Sequence, residues 1–202
     1  MTFEPAILVL LGVSGAGKDT AASFLQGQNP KLINVKFSDP IKQALAAYLG
    51  VDRALMDDRE WRTTVIPELG CTPLDILVKS FDYMPQIHPR LGLVATGRQC
   101  RSILESGGQI VFTDMRNLAE RNFVVELASK YAVPLFVYQI HRRDAQPQSS
   151  DRLVSAIYHT LRPYHVQTVG RIPNNGSLPE FQDALSWAFR GTPFKLSTLV
   201  TR

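Results

Sequence analysis

The chain has 202 residues, 45% apolar and 20% charged, with 13 glycines and 13 prolines. That composition excludes a disordered or collagen-like polymer and suits a folded core. Its 22 Lys and Arg against 18 Asp and Glu leave a net charge of +4, and 15 of the basic residues are Arg, placed singly or in short pairs. This pattern argues against a surface that coats nucleic acid and for planar contacts to phosphate or carboxylate. The longest apolar stretch, Ala6 to Leu11, is far below the roughly 20 residues needed to cross a bilayer, and no basic segment precedes it. Neither a membrane span nor a secretion signal is expected. Cys71 and Cys100 form no CxxC pair and have no His cluster beside them, which points to a reducing cytoplasm without zinc or disulfides.

The elements alternate. Ala6 to Leu11 predicts a central parallel strand, because it is apolar at both alternating sets of positions. A glycine-rich turn follows, then a helix from Lys18 ending near Gly27. Ile33 to Phe37 supplies a second strand, and Ser38 or Asp39 caps a helix that accepts Pro40 in its first turn and ends near Gly50. From Val51 to about Gly107, the breakers Pro67, Gly70, Pro73, Pro85 and Pro89 separate short helical pieces, notably Pro73 to Phe81 and Arg98 to Glu105. Gln109 to Thr113 predicts a strand, Leu118 to Tyr131 a helix and Leu135 to Ile140 another strand. A helix from Asp151 to Leu161, an edge strand over His165 to Val169, the turn PNNGS and a helix from Leu178 to Phe189 complete the chain. Five strands with helical crossovers predict one three-layer α/β domain with a parallel sheet.

The most informative stretch is Gly12-Val13-Ser14-Gly15-Ala16-Gly17-Lys18-Asp19-Thr20, directly after the first strand. Its spacing matches the phosphate loop of P-loop proteins, except that Asp19 takes the usual Ser or Thr position. Backbone N–H groups must curl around a phosphate, so Gly12, Gly15 and Gly17 keep the approach free of side chains, with Ser14 and Ala16 between them. Lys18 adds a mobile positive charge, and Thr20 supplies a hydroxyl. Asp19 would repel a triphosphate unless Mg²⁺, water or an arginine intervenes, so it either holds hydrated Mg²⁺ or caps the helix.

The GKDT ending resembles that of the deoxynucleoside monophosphate kinases of tailed bacteriophages, within the wider P-loop nucleoside monophosphate kinase family. FSDPIKQAL from Phe37 to Leu45, the Asp114, Arg116 and Glu120 pattern, and NNGSL from Asn174 carry the same resemblance. It implies a P-loop NTPase fold in a single kinase domain over 1–202. Residues 51–108 would form a helical acceptor-binding insertion and 141–151 a lid segment. The activity it implies is transfer of the γ-phosphoryl group of ATP, with Mg²⁺, to a (deoxy)nucleoside monophosphate in the cytoplasm, that of the host if the chain is phage-encoded. Under the resemblance, Asp39 and Lys42 touch the acceptor.

Phosphoryl transfer to an acceptor that is already an anion needs positioning and charge neutralisation more than a strong base. Arginines therefore matter most. Arg142 and Arg143 follow a strand directly, at the sheet edge where ligands collect, and are assigned to the lid side. Arg116 with either Arg98 or Arg101 is assigned to the acceptor phosphate. Asp114 either holds Mg²⁺ through water or caps a helix and partners Arg116. Glu120 either orients an arginine, accepts from a base or lies on a solvated helix face. Phe81 and Tyr83 either stack on the acceptor base or belong to a core. Two other functions stay open: a P-loop kinase of another small phosphorylated metabolite, and an NTP-hydrolysing switch. No stable nucleic-acid or membrane partner is expected, and a homodimer is the base-rate expectation.

Overall fold

A computed structural model describes residues 4–147, 151, 154–161 and 166–194, the last span with backbone only at 166–169. The elements are β1 Ile7–Leu11, α1 Lys18–Gln28, β2 Leu32–Val35, α2 Asp39–Leu49, a 3₁₀ turn Arg53–Asp57, α3 Arg59–Thr63, α4 Pro73–Ile87 and α5 Leu91–Glu105. They continue with β3 Gln109–Phe112, α6 Leu118–Tyr131, β4 Leu135–His141, α7 Val154–Leu161, β5 Val166–Pro173 and α8 Leu178–Ala188. Two compact units result. One holds Met1–Lys36 with Gln99–Arg202, the other Phe37–Arg98.

In the first unit the five strands are parallel and ordered β2-β3-β1-β4-β5, as expected. Every residue of β1 is buried, because a central strand is covered on both faces. Its even positions, Leu8 and Leu10, pack with Ala21, Ala22 and Leu25 of α1 and with Phe181 and Leu185 of α8. The odd positions Ile7, Val9 and Leu11 point to the opposite face. The crossover from β3 through α6 to β4 runs across the sheet against the direction taken from β1 through α1 to β2. Right-handed connections therefore put α6 on the face opposite α1, which gives three layers. At the edge strand, a Cβ on Gly170 would lie 2.8 Å from the Tyr138 ring, whose hydroxyl donates to the Ala188 carbonyl at 3.0 Å.

The second unit has its own small core: Ile41, Leu45 and Ala46 of α2, Met56 and Leu77, with Trp61, Phe81 and Met84 against them. Pro85 does not break the chain as expected but sits inside α4. A proline removes one ladder bond, yet α4 begins with a capping box between Thr72 and Asp75 and Pro at its start, and the His88 N–H resumes the ladder on the Met84 carbonyl at 3.1 Å. Burial of Leu77, Phe81 and Met84 along one side keeps the helix whole. α5 starts at Leu91 rather than Arg98. Ser38 is the residue before α2, but its side chain makes no capping bond.

Three other boundaries differ or fall outside what is described. β5 runs on to Pro173, so the PNNGS turn begins inside the strand. His165, expected to open that strand, lies outside the described residues. So do residues 152–153 of the expected α7 and 148–150 of the expected lid segment. Cys71 and Cys100 are both free thiols, and among the described residues no helix is long and apolar enough to cross a membrane.

The layered core sets a first test. Leu10→Ala should lower the unfolding free energy by about 3–5 kcal/mol in urea titrations, since Leu10 is fully enclosed. Trp187→Ala on the exposed side of α8 should stay within about 0.5 kcal/mol of the parent.

Candidate functional site

Between β1 and α1 the backbone turns through left-handed conformations at Gly12 (φ 154°), Gly15 (φ 76°) and Gly17 (φ 103°), which side chains strain to adopt. Space adds a second constraint. A Cβ on Gly12 would meet the Ile140 carbonyl oxygen at 2.7 Å, and one on Gly17 would run into the Asn174 side-chain amide. Gly15 has open space around it, so its requirement is the dihedral alone. Gly17 precedes α1 and provides no side-chain cap, which leaves the first N–H groups of the helix directed outward.

Each strand delivers a residue to the same edge of the sheet. Lys18 comes after β1 and its Nζ donates to the carbonyls of Gly12 (2.7 Å) and Val13 (2.9 Å). Lys36, after β2, pairs with Asp19 at 2.9 Å. Thr113, after β3, donates its hydroxyl to the same carboxylate at 2.9 Å. Arg142 follows β4 and lines a cleft of about 400 Å³ with Gly15, Lys18, Thr20 and Asn174. Asn174, after β5, donates its side-chain N–H to the Ala16 carbonyl (2.8 Å) and its backbone N–H to the His141 carbonyl (2.8 Å). The carboxyl edge of a parallel sheet is where ligands bind in such folds.

The electrostatics follow from this crowding. Burial lowers the Lys18 ammonium below its ordinary value and the Arg116 charge adds to that, while Asp151, Asp19 and Asp114 oppose it. Burial pushes the Asp19 carboxyl up, but the bonds from Lys36 and Thr113 outweigh it and hold the group below its ordinary value. Asp19 lies in the first turn of α1, with its carboxylate engaged by Lys36 and Thr113. Among the described residues no group of three His, Cys, Asp or Glu side chains is gathered for a metal. Mg²⁺ nonetheless fits the donors that line the cleft, the Thr20 hydroxyl and the Asp19 carboxylate, because it binds through one or two protein groups plus phosphate and water.

Of the other candidates, Arg116 is half-buried and its charge reaches Lys18, and Asp114 is half-buried beside it. Arg142 and Arg143 are both exposed; the Arg143 backbone N–H donates to the Asn175 side chain at 2.8 Å, and the cleft lining includes Arg142 and not Arg143. Arg98 and Arg101 are both exposed on α5.

Several expected acceptor contacts have internal partners. Asp39 accepts from Arg53 at 2.7 Å, Lys42 donates to Asp57 at 2.6 Å, and Arg53 also reaches Asp57 at 2.8 Å. Lys42 is buried. These four charges tie α2 to the 3₁₀ turn, and Asp39 is a salt-bridge partner rather than a cap. Phe81 packs on the core of the second unit, whereas Tyr83 is exposed.

Glu120 is neither solvated nor turned to a base. The residue is 5% exposed, and its carboxylate accepts from the backbone N–H of Arg116 (2.6 Å) and Asn117 (3.2 Å), completing a capping box with the Asn117 side chain. Burial, with Asp114 adding to it, raises its carboxyl from 4.5 to about 7 against the two N–H bonds.

Three residues that hold the site together were not among the sequence candidates for it. Lys36 and Thr113 could have been found as the polar residues ending β2 and β3. Asn174 stood in the recognised NNGSL turn without a role. Asp151 is a fourth case: it is buried and accepts from the Ser14 N–H at 2.9 Å, yet no sequence pattern links positions 137 residues apart.

The strand order, the helices on both faces and the glycine loop after the central strand decide the architecture. The fold is the three-layer P-loop α/β fold. No family model matches the chain and no curated protein matches it. Among solved structures it is similar to a protein from Chloroflexus aurantiacus, at 14% identity over 94% of this chain and 97% of that one, with a TM-score of 0.49. It is also similar to the thymidylate kinase of Ehrlichia chaffeensis (10% identity, 93% and 98% covered, TM-score 0.45). A third likeness is the tunicamycin resistance protein of Deinococcus radiodurans (16% identity, 92% and 96% covered, TM-score 0.44).

Two tests follow. Asn174→Ala should cost about 1–3 kcal/mol in urea unfolding, because the buried Ala16 carbonyl loses its donor. Glu120 binds its proton more tightly folded than unfolded, so stability should fall as pH rises from about 4.5 to about 7, with a limiting slope of ~1.4 kcal/mol per pH unit. Glu120→Gln, which keeps an acceptor and removes the charge, should flatten that decline in parallel unfolding curves at pH 5 and 7.5.

Proposed function

We propose that this protein is an ATP-dependent phosphotransferase that moves the γ-phosphoryl group to a (deoxy)nucleoside monophosphate, giving ADP and the diphosphate. The observation that carries this reading is the meeting of Lys18, Thr20 and Arg142 on one cleft at the mouth of the glycine loop. Backbone N–H groups and the open start of α1 offer fixed donors to the β-phosphate. Lys18 leaves the Gly12 and Val13 carbonyls to follow the charge that develops on the transferred group. An oxygen of the acceptor phosphate forms the new P–O bond as the bond to the β-phosphate oxygen breaks, and that oxygen leaves on ADP. Arg142 neutralises charge on the transferring group, and Arg116 serves the acceptor side. Thr20 and Asp19, with Asp114, would hold Mg²⁺, which would supply charge neutralisation. Residues 51–108 are assigned to acceptor recognition and 141–151 to the lid.

One observation favours a second reading, a P-loop kinase of another small phosphorylated metabolite. The Asp39 and Lys42 side chains that resemblance gives to the monophosphate are engaged with Arg53 and Asp57. Screening acceptors separates the two.

ADP formation from Mg-ATP, followed with a coupled assay, should appear only when a nucleoside monophosphate is added. Lys18→Ala and Arg142→Ala should each lower kcat by about 10²-fold or more, and Arg143→Ala should change it far less. Transfer to none of the monophosphates by a folded, ATP-binding preparation defeats the proposal.

A further inference from the structure

P-loop nucleotide sites ordinarily place a hydroxyl after the loop lysine and a carboxylate at the end of a neighbouring strand, and the two hold Mg²⁺ together. In this chain a carboxylate, Asp19, follows Lys18, and the residue directly after β3 is Thr113. The Thr113 hydroxyl donates to Asp19 Oδ1 at 2.9 Å. The Lys36 ammonium reaches that same oxygen at 2.9 Å. Asp19 Oδ2 has no bond among the described residues, and the side chain is 68% exposed where Asp19 lines the cleft. One oxygen is tied to the sheet and the other is open.

A carboxylate on a helix turns freely about its own torsions, and fixing one oxygen removes most of that freedom before a cation arrives. Thr113 is 2% exposed and follows a strand flanked by β1 and β2, so its hydroxyl is held by the sheet. Its single proton goes to Oδ1. We infer that Thr113 is a positioning residue for a divalent cation: with Lys36 it fixes Oδ1 of Asp19 and leaves Oδ2 oriented as the ligand. This rests on the readings of Gly12–Thr20 as a phosphate loop and of Asp19 as a metal ligand. Lys36 acts in two opposing ways, because its bond orients the carboxylate while its charge repels a cation. The uncharged Thr113 is therefore the residue to test.

ADP is titrated calorimetrically into the full chain in excess Mn²⁺, which takes the same oxygen ligands as Mg²⁺, and separately in EDTA. The ratio of the two affinities measures how strongly metal and nucleotide support each other. Thr113→Val keeps the shape and removes the hydroxyl, Thr113→Ser keeps the hydroxyl, and Thr113→Ala answers in place of Thr113→Val should that variant not fold. The ratio should fall about tenfold or more in Thr113→Val and stay near the parent value in Thr113→Ser, with affinity in EDTA unchanged in both. Asp19→Asn should lose the ratio as well. Where it does, a ratio unchanged in Thr113→Val, or a loss of affinity equal in Mn²⁺ and in EDTA, overturns this inference alone. A parent whose affinity ignores Mn²⁺, or a ratio retained in Asp19→Asn, overturns Asp19 as a metal ligand and this inference with it. Failure of the parent to bind ADP in either condition overturns the phosphate-loop reading and all that rests on it.

Discussion

The close approach of the glycine loop to the end of β4 governs the rest of the site. The Ile140 carbonyl leaves no room for a side chain at Gly12, and the register of β1 on β4, Leu11 opposite Gln139, brings the two together. A β-sheet ladder is stiff, so the point at which the loop begins is fixed by strand pairing rather than by the loop's own preferences. Asn174 fixes the other end by holding the Ala16 carbonyl while its backbone is held by His141. The loop is thus clamped between β4 and β5, and its donors are arranged before any anion arrives. Preorganised donors of this sort are usually the largest electrostatic contribution that a site can make.

Charge is distributed around that clamp so that few groups stand alone. Asp19, which replaces the hydroxyl usual at its position, is balanced by Lys36 and Thr113. Lys18 sits between the depressing influence of burial and Arg116 and the opposing influence of three aspartates. In the second unit the same logic closes on itself: Asp39, Arg53, Asp57 and Lys42 form two carboxylates and two cations in alternation. That network is partly exposed, and its value is less in net stability than in fixing the direction in which α2 and the 3₁₀ turn meet.

Local signals were legible in the sequence and distant ones were not. β1, the phosphate loop and α6 could be read because an apolar run, a glycine spacing and a capping residue act within a few positions. The expected limits of α6, Leu118 to Tyr131, are those observed. Pro85 misled because a local breaker was outweighed by burial along α4, a tertiary effect. Resemblance places Asp39 and Lys42 at the acceptor and leaves Glu120 open among three roles, whereas ion pairing across 14 and 15 residues and burial of the Glu120 carboxyl depend on how helices pack. Asp151 is the extreme case, joined to Ser14 across 137 residues of chain.

The pairing of Gly170 with Tyr138 carries a consequence for relatives of this chain. The ring fills the volume a Cβ would need while its hydroxyl fastens β4 to the end of α8. Any lineage that enlarges position 170 must first or simultaneously shrink position 138, and in doing so it surrenders the hydroxyl that secures the Ala188 carbonyl. The two positions should therefore drift together, with glycine retained wherever the tyrosine is and a third compensation near the end of α8 wherever both have changed.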